Sequence, residues 1–389
     1  MKKIIFVTRK LDIGGVETSL ISMLNCIPKD KYKVKILTLY SGGELVNKVP
    51  DWIEVETIPE IQTKTIKKII KRLKRFKIKE AVDILINNYF SKRAQTISQS
   101  YKYSLKTLDN VYGEYDLAIS YYNPTSFTVP YVIEKIKAKK KIMWIHSDVN
   151  VYDDIQEYKE YYDKYDYLYN VSKVGVNEFI KKFPSLSSKV SVFYNIIDEE
   201  NINEKSNDIV DIFNTDFKGI NIVTVGRLSI EKGQDMIPII TRKLLDSGIE
   251  IRWYCIGEGE LREKIQDNIK KYNVDGNVIL LGNIENPFPY IKQCDIYVQT
   301  SRSECYCTTV MEAKCLKKPM VITDVNGSVE QIDNGNNGII TKCSINDIYN
   351  SVMYLIKNNE LRDKFILELS KNKINTKVEM DKLYRVMEE

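Results

Sequence analysis

Two glutamates with seven residues between them, Glu304 and Glu312, stand in the run Ser301-Arg302-Ser303-Glu304-Cys305-Tyr306-Cys307-Thr308-Thr309-Val310-Met311-Glu312-Ala313. Glu304 falls in a loop after an apolar run that reads as a strand, and Glu312 falls inside the helix that follows. There Glu304 can accept hydrogen bonds from sugar hydroxyls. Glu312 can hold the two hydroxyls of a ribose, as acidic residues do in dinucleotide folds. Between them, the helix's first N–H groups, from about Thr308 through Thr309 to Val310, form a positive dipole end suited to a diphosphate. Earlier, Val225-Gly226-Arg227-Leu228-Ser229-Ile230-Glu231-Lys232-Gly233 follows another predicted strand and precedes a helix. Arg227 offers a planar fork and Lys232 a compact charge, a pairing that fits the same diphosphate.

The first half carries two further candidates. Asp12-Ile13-Gly14-Gly15-Val16-Glu17-Thr18 joins a predicted strand to a helix, and its glycines allow close backbone approach to an anion at the helix start. Met143-Trp144-Ile145-His146-Ser147-Asp148 closes another strand and holds the chain's one histidine. Polar groups just beyond a strand's carboxyl end lie where open α/β sheets bind ligands. Asn170-Val171-Ser172-Lys173 and Phe193-Tyr194-Asn195-Ile196-Ile197-Asp198 read as framework.

Several classes are excluded. One histidine cannot build a histidine zinc site, and no Asp-x-Asp is present to clasp a nucleotide-bound divalent cation. The expectation is therefore no metal. Seven cysteines with no Cys-x-x-Cys spacing fit reduced thiols in a cytosol. A net charge of +5, from 58 basic and 53 acidic residues, is too slight to argue for nucleic acid. The apolar stretch Ile4 to Val7 is too short for a signal peptide, and no run approaches the ~20 apolar residues of a spanning helix. The expected location is cytoplasmic.

Short apolar runs alternating with helical periods predict a parallel α/β protein. Strands are expected at Lys3–Thr8, Lys33–Leu39, Ile53–Ile58, Asp116–Ser120, Lys141–Ile145, Tyr167–Asn170 and Val190–Tyr194. A polar stretch from Asp198 to Thr215 reads as a linker, after which the pattern restarts at Asn221–Val225, Ile251–Ile256, Val278–Leu281, Ile296–Gln299, Pro319–Thr323 and Gly338–Thr341. We therefore expect a Rossmann-like domain over residues 1–200 and a second over 201–370, facing each other across a cleft. A helical tail over 371–389 would pack back on the first domain. Residues 64–80 read as one amphipathic helix, with Ile66, Ile69, Ile70, Leu73 and Phe76 on one face and Lys67, Lys68, Lys71, Arg72, Lys74, Arg75, Lys77 and Lys79 over the rest. Such a helix could rest on an anionic membrane or grip an anionic lipid-linked acceptor, or simply pack on its own domain with a solvated basic face.

The ordered set Gly226-Arg227-Leu228, Glu231-Lys232-Gly233, Gly257-Glu258-Gly259, Leu281-Gly282, Glu304-x7-Glu312 and Pro319 resembles the GT-B glycosyltransferases of family 4, the glycosyl transferases group 1. The similarity runs from Gly14-Gly15 to about Lys342, and it implies that the domain over 201–370 binds the nucleotide-sugar and that the one over 1–200 lies on the acceptor side. It implies a retaining, metal-independent transfer from a nucleotide-diphosphate sugar, UDP-sugar favoured, to a glycan, lipid-linked or protein acceptor, commonly in bacterial surface polysaccharide synthesis. It further implies that Gly14-Gly15 closes on the donor phosphates, that Arg227 and Lys232 neutralise the leaving diphosphate, that His146 lies beside the reacting sugar, and that the backbone at Asn283-Ile284 meets the base. The chain departs from the family where Cys305-Tyr306-Cys307 replaces a Gly-Phe-Gly, and at Lys317, where relatives carry glycine. A nucleotide-sugar epimerase and a non-catalytic module on the same fold are the rival readings. One histidine argues against the first, and only the altered loop favours the second.

Overall fold

The structure, a computed structural model, describes residues 1–213, 216–371 and 373–388. Its chain divides into two compact units, one of Met1–Ile196 with Val378–Glu389 and the other Ile197–Lys377. The first unit holds strands β1 Lys2–Thr8, β2 Tyr32–Thr38, β3 Glu54–Thr57, β4 Glu114–Tyr122, β5 Lys137–Ile145, β6 Tyr167–Asn170 and β7 Val190–Val192. They form one sheet in the order β3-β2-β1-β4-β5-β6-β7, every pair parallel. The second holds β8 Ile220–Val225, β9 Ile251–Ile256, β10 Val278–Gly282, β11 Ile296–Gln299, β12 Met320–Thr323 and β13 Ile339–Thr341, ordered β10-β9-β8-β11-β12-β13 and also parallel. In both sheets the strand order reverses beside the first strand of the unit, which leaves a crevice at the strands' carboxyl ends.

Side chains explain why these segments are strands. Successive residues point to opposite faces, so β8 sends Ile222 into one core layer with Trp253, Ile240 and Val298, and Val223 into the other with Tyr254, Tyr297 and Val310. Helices cover both faces, as a parallel sheet requires.

Two sequence expectations change. β5 begins at Lys137, not Lys141, because its charged start is stabilised across the strand pair: Lys137 meets Glu114, and Lys139 Nζ lies 2.7 Å from Asp116. The expected linker is in part a helix, Glu199–Lys205, capped by Asp198 (3.3 Å from the Asn201 N–H) and anchored by buried Ile202; its residues 214 and 215 lie outside the described residues. At the C-terminus, the helix Met380–Glu388 buries Met380, Leu383, Val386 and Met387, and Tyr384 stacks on Tyr32 with ring centroids 6.0 Å apart. Residues 372 and 389 of the expected tail also lie outside the described residues.

The largest correction concerns residues 64–80. They form not one helix but Thr65–Leu73, a break, and the start of Ile78–Lys92. Phe76 stands in the break with φ 57° and is 92% exposed. The shorter helix is also turned opposite to its hydrophobic pattern. Arg72 is buried against Glu80 (3.3 Å) and Asp109, and Thr65 Oγ1 bonds Asn88 Oδ1 at 3.1 Å. Ile66, Ile70 and Leu73 are exposed instead. Left-handed backbone costs a residue with a Cβ roughly 1–2 kcal/mol, more than the extra chain entropy of glycine. Phe76→Gly should therefore raise the stability of the first unit by about 0.5–1 kcal/mol in urea unfolding. A loss of stability would show that Phe76 packs on something.

Candidate functional site

In the second unit, the loops after β8 and β11 meet at the carboxyl edge of the sheet. Gly233 makes this possible, and Gly257, just after β9, brings its own loop against the end of β8. Gly233 has φ 70°, and a Cβ there would lie 2.1 Å from the Thr300 carbonyl oxygen; Gly257 has φ 134°, and its Cβ would lie 2.2 Å from the Gly226 carbonyl oxygen. Hydrogen bonds then tie the loops together: Arg302 N–H donates to the Glu231 carbonyl (2.6 Å) and Thr300 Oγ1 to the Lys232 carbonyl (2.9 Å). Arg302 also forks onto Asp235 at 2.7 and 3.0 Å.

This scaffold sets Lys232 Nζ on Glu304 Oε1. Burial alone would lower the Lys232 ammonium, but the adjacent Glu304 carboxylate holds it above its ordinary value. The same Oε1 accepts from Ser301 Oγ at 2.9 Å. Behind it runs a chain in which Tyr297 OH donates to Gln299 Oε1 (2.6 Å) and Gln299 Nε2 to Ser301 Oγ (2.9 Å). Glu304 Oε2 has no protein partner among the described residues, so it can accept from a ligand hydroxyl. Sequence reading gave Gln299, Ser301 and Tyr297 no role. Their signal was a glutamine closing the apolar run of β11.

The helix Thr308–Cys315 starts beside this pair. Gln331 clamps its start, accepting from the Cys307 N–H at 3.1 Å and donating to the Cys307 carbonyl at 2.7 Å. Thr309 Oγ1 reaches the Val225 carbonyl (3.4 Å) and Gln299 (3.3 Å). The first N–H groups, those of Thr308, Thr309 and Val310, have no intrahelical acceptors. Glu312 is buried further along this helix, and burial pushes its carboxyl up to about 7. At the helix's far end Lys317 takes φ 55° and the Lys318 N–H bonds the Ala313 carbonyl at 3.0 Å. A lysine thus fills the left-handed position that favours glycine. Cys305 and Cys307 are likewise buried in place of the expected glycines. Arg227 is exposed with no ion-pair partner among the described residues. Asn283 and Ile284 follow β10, where the Gly257 N–H bonds the Gly282 carbonyl at 2.8 Å. Lys232, Glu304, Thr308, Thr309, Val310 and Glu312 are therefore brought together on the loop after β8, the loop after β11 and the helix that follows it.

Gly14, Gly15 and His146 belong to the first unit. Gly14 precedes the helix Gly15–Asn25 with extended backbone, and a Cβ on it would meet Glu17 Oε2 at 2.6 Å. A carboxylate already stands at this helix start, so the start alone is not an anion site. His146 follows β5 with its ring 4.4 Å from that of Tyr121, and its buried Nε2 has no hydrogen-bond partner. Burial lowers its pKa to about 3, so the imidazole is neutral at physiological pH. Among the described residues, no group of three or more histidine, cysteine or acidic side chains is placed to hold a metal ion, and no helix is long and apolar enough to cross a membrane.

Residues 205–369 match the family model described as glycosyl transferases group 1. An uncharacterized glycosyltransferase of Methanocaldococcus jannaschii is 29% identical over 241 residues, covering 56% of this chain and 57% of the relative. The N-acetylgalactosamine-N,N'-diacetylbacillosaminyl-diphospho-undecaprenol 4-alpha-N-acetylgalactosaminyltransferase of Campylobacter jejuni is 26% identical over 218 residues, 56% of each chain. The chain thus spans little more than half the length of these curated relatives. Among solved structures, Anabaena HepE in complex with UDP-glucose superposes over 100% of both chains with a TM-score of 0.72 at 14% identity. The likeness shows the fold, which is the GT-B fold.

Because its folded-state pKa is raised, Glu312 makes folding less favourable as pH climbs from 4.5 to about 7, and the loss is complete above that. Relative to wild type, Glu312→Gln should gain roughly 3 kcal/mol between about pH 5 and about pH 8 in urea unfolding. Parallel stability curves for the two proteins would mean that Glu312 is hydrated.

Proposed function

We propose that this chain is a glycosyltransferase that moves a sugar from a nucleotide-diphosphate donor, a UDP-sugar favoured, to a glycan or lipid-linked acceptor. The observation that carries this reading is the Lys232–Glu304 pair at the start of the helix Thr308–Cys315, with Glu312 buried along the same helix. The segment holding them is the one that matches the family model. The Campylobacter relative, by its name, acts on a diphospho-undecaprenol acceptor, and HepE was crystallised with UDP-glucose. The HepE complex favours a uridine donor, and the Campylobacter relative favours a lipid-linked acceptor.

In the proposed reaction the anomeric C–O bond to the diphosphate breaks, leaving a cation-like sugar and a nucleoside diphosphate. Lys232, Arg227 and the N–H groups of Thr308, Thr309 and Val310 stabilise the charge that develops on the leaving diphosphate. Fixed donors of this kind need no reorganisation as the charge appears. Glu304 Oε2 accepts from a hydroxyl of the donor sugar, and Glu312 from the ribose. Asn283 and Ile284 offer backbone to the base. Gly14 and Gly15 are assigned to the donor phosphates, with Glu17 turned aside. We assign the acceptor's proton to the departing phosphate, which retains anomeric configuration by front-face attack and uses no metal. His146 enters only as a neutral hydrogen-bonding group, since it cannot serve as a general acid at neutral pH. The non-catalytic reading rests on Cys305-Tyr306-Cys307 alone, yet the helix start behind that loop is fully formed.

Arg227→Ala and Lys232→Ala should each cut transfer by about 10²–10³-fold while donor-independent folding is kept. The assay is nucleoside-diphosphate release from UDP-, GDP-, ADP- and dTDP-sugars in EDTA; near-wild-type rates in either variant would sink the assignment, and a requirement for added metal would sink the metal-free mechanism.

We also propose that the Thr65–Lys92 region rests on an anionic membrane, on the cytoplasmic side. Ile66, Ile70, Leu73, Phe76, Ile78, Val82 and Leu85 are exposed, and Lys67, Lys71 and Lys74 are exposed among them. Each lysine near an anionic leaflet contributes about 1 kcal/mol. Reversing all three to glutamate should weaken sedimentation with phosphatidylglycerol vesicles by about 100-fold or more. Unchanged sedimentation would remove the membrane from the proposal.

A further inference from the structure

A cavity of about 470 Å³ lies wholly within the first unit. It opens at the carboxyl ends of β1, β2 and β4, where Arg9, Tyr40 and Asn123 follow their strands and Tyr122 ends β4. This is the crevice where the strand order turns from β1 to β4, the place at which open parallel sheets receive ligands. The inserted helices roof it. Their inward face is polar because Lys68, Asn88, Ser100 and Ser104 line the cavity.

The lining has a one-sided charge. It contains Arg9 and Lys68 and not one aspartate or glutamate. Arg9 is held in place, bonded to the Tyr122 hydroxyl and 5.8 Å from the Tyr40 ring centroid. Lys68 is half-buried, and burial lowers its pKa with only a weak opposing pull from Glu60. It has no ion-pair partner among the described residues. A half-buried ammonium without a carboxylate is costly in the empty protein, and that cost is offset when an anion enters. Arg9 adds the planar fork that suits a phosphate or carboxylate. Around the two cations stand four rings, Tyr40, Tyr101, Tyr122 and Phe127, together with serine, threonine and asparagine groups. Apolar ring faces plus a few polar groups are the lining expected for a small polar molecule with an apolar face, which describes a sugar ring. A pocket for a neutral sugar would be expected to set carboxylates against the hydroxyls, and here there are none.

We propose that this cavity is the acceptor subsite and that it takes a sugar bearing a negative charge, either a phosphate or a carboxylate. The word acceptor rests on the transferase reading above; the ligand class does not. Lys68 and Arg9 hold the anion, and the tyrosine rings cover the sugar. The inference also gives a reason for Lys68 of the helix Thr65–Leu73 to face inward while Lys67 and Lys71 stay exposed.

Four probes test it on the full chain by calorimetry: glucose 1-phosphate, glucuronate, glucose and inorganic phosphate. At least one charged sugar should bind about ten-fold or more tightly than glucose, and Lys68→Ala should erase about ten-fold of that affinity while Lys68→Arg restores it. Preference for glucose 1-phosphate would identify a sugar phosphate, and preference for glucuronate a uronate within a glycan; both support the proposal. Equal binding of glucose, binding of inorganic phosphate as tight as that of the charged sugars, no binding of any probe, or an unaffected Lys68→Ala would overturn it. UDP binding is measured in parallel. UDP bound with no preference for charge defeats this inference alone, whereas charge preference without UDP binding defeats the donor reading alone.

Discussion

A single constraint organises the second unit: a lysine must be kept charged beside a carboxylate at a largely buried sheet edge. Lys232 and Glu304 come from loops far apart in sequence, and each would be expensive to bury alone. Their meeting depends on the close approach of Gly233 to the Thr300 carbonyl, and on the hydrogen bonds binding the loop after β8 to the loop after β11. The polar relay from Tyr297 through Gln299 and Ser301 then fixes which carboxylate oxygen is engaged and which is left for a ligand.

The same economy appears along the helix Thr308–Cys315. Its start is rigid because Gln331 bonds both backbone groups of Cys307, so replacing glycines by cysteines near this point does not undo the helix end. Its far end tolerates Lys317 in a left-handed conformation, and the lysine's Nζ finds Glu199 at 3.3 Å. Two departures from the family pattern are thus absorbed locally, while the charged groups keep their places.

In the first unit the interest lies in a helix whose hydrophobic pattern and orientation disagree. Thr65–Leu73 turns Lys68 and Arg72 inward and leaves Ile66, Ile70 and Leu73 in the open. Arg72 is bound to Asp109, from a distant stretch of chain, and to Glu80 from the next helix. An arginine at one inward position and a cavity at another outweigh the hydrophobic stripe. The exposed apolar residues and the polar cavity are two consequences of one rotation.

Much of this protein was decided by local sequence. Alternating apolar runs and helical periods determined two parallel α/β units and nearly every strand, because burial on both faces demands those runs. The carboxyl-end loops, and the spacing that sets Glu304 before a helix and Glu312 within it, were legible for the same reason. Tertiary structure alone decided the rest. Periodicity shows that Thr65–Leu73 has two faces but not which partner claims each, and Asp109 settles that from outside the helix. A charged run such as Lys137–Lys141 becomes strand only when Glu114 and Asp116 stand across from it. Lys232 meets Glu304, and Gln299 meets Ser301, only after the sheet has brought the strand ends together, and no spacing along the chain encodes that contact.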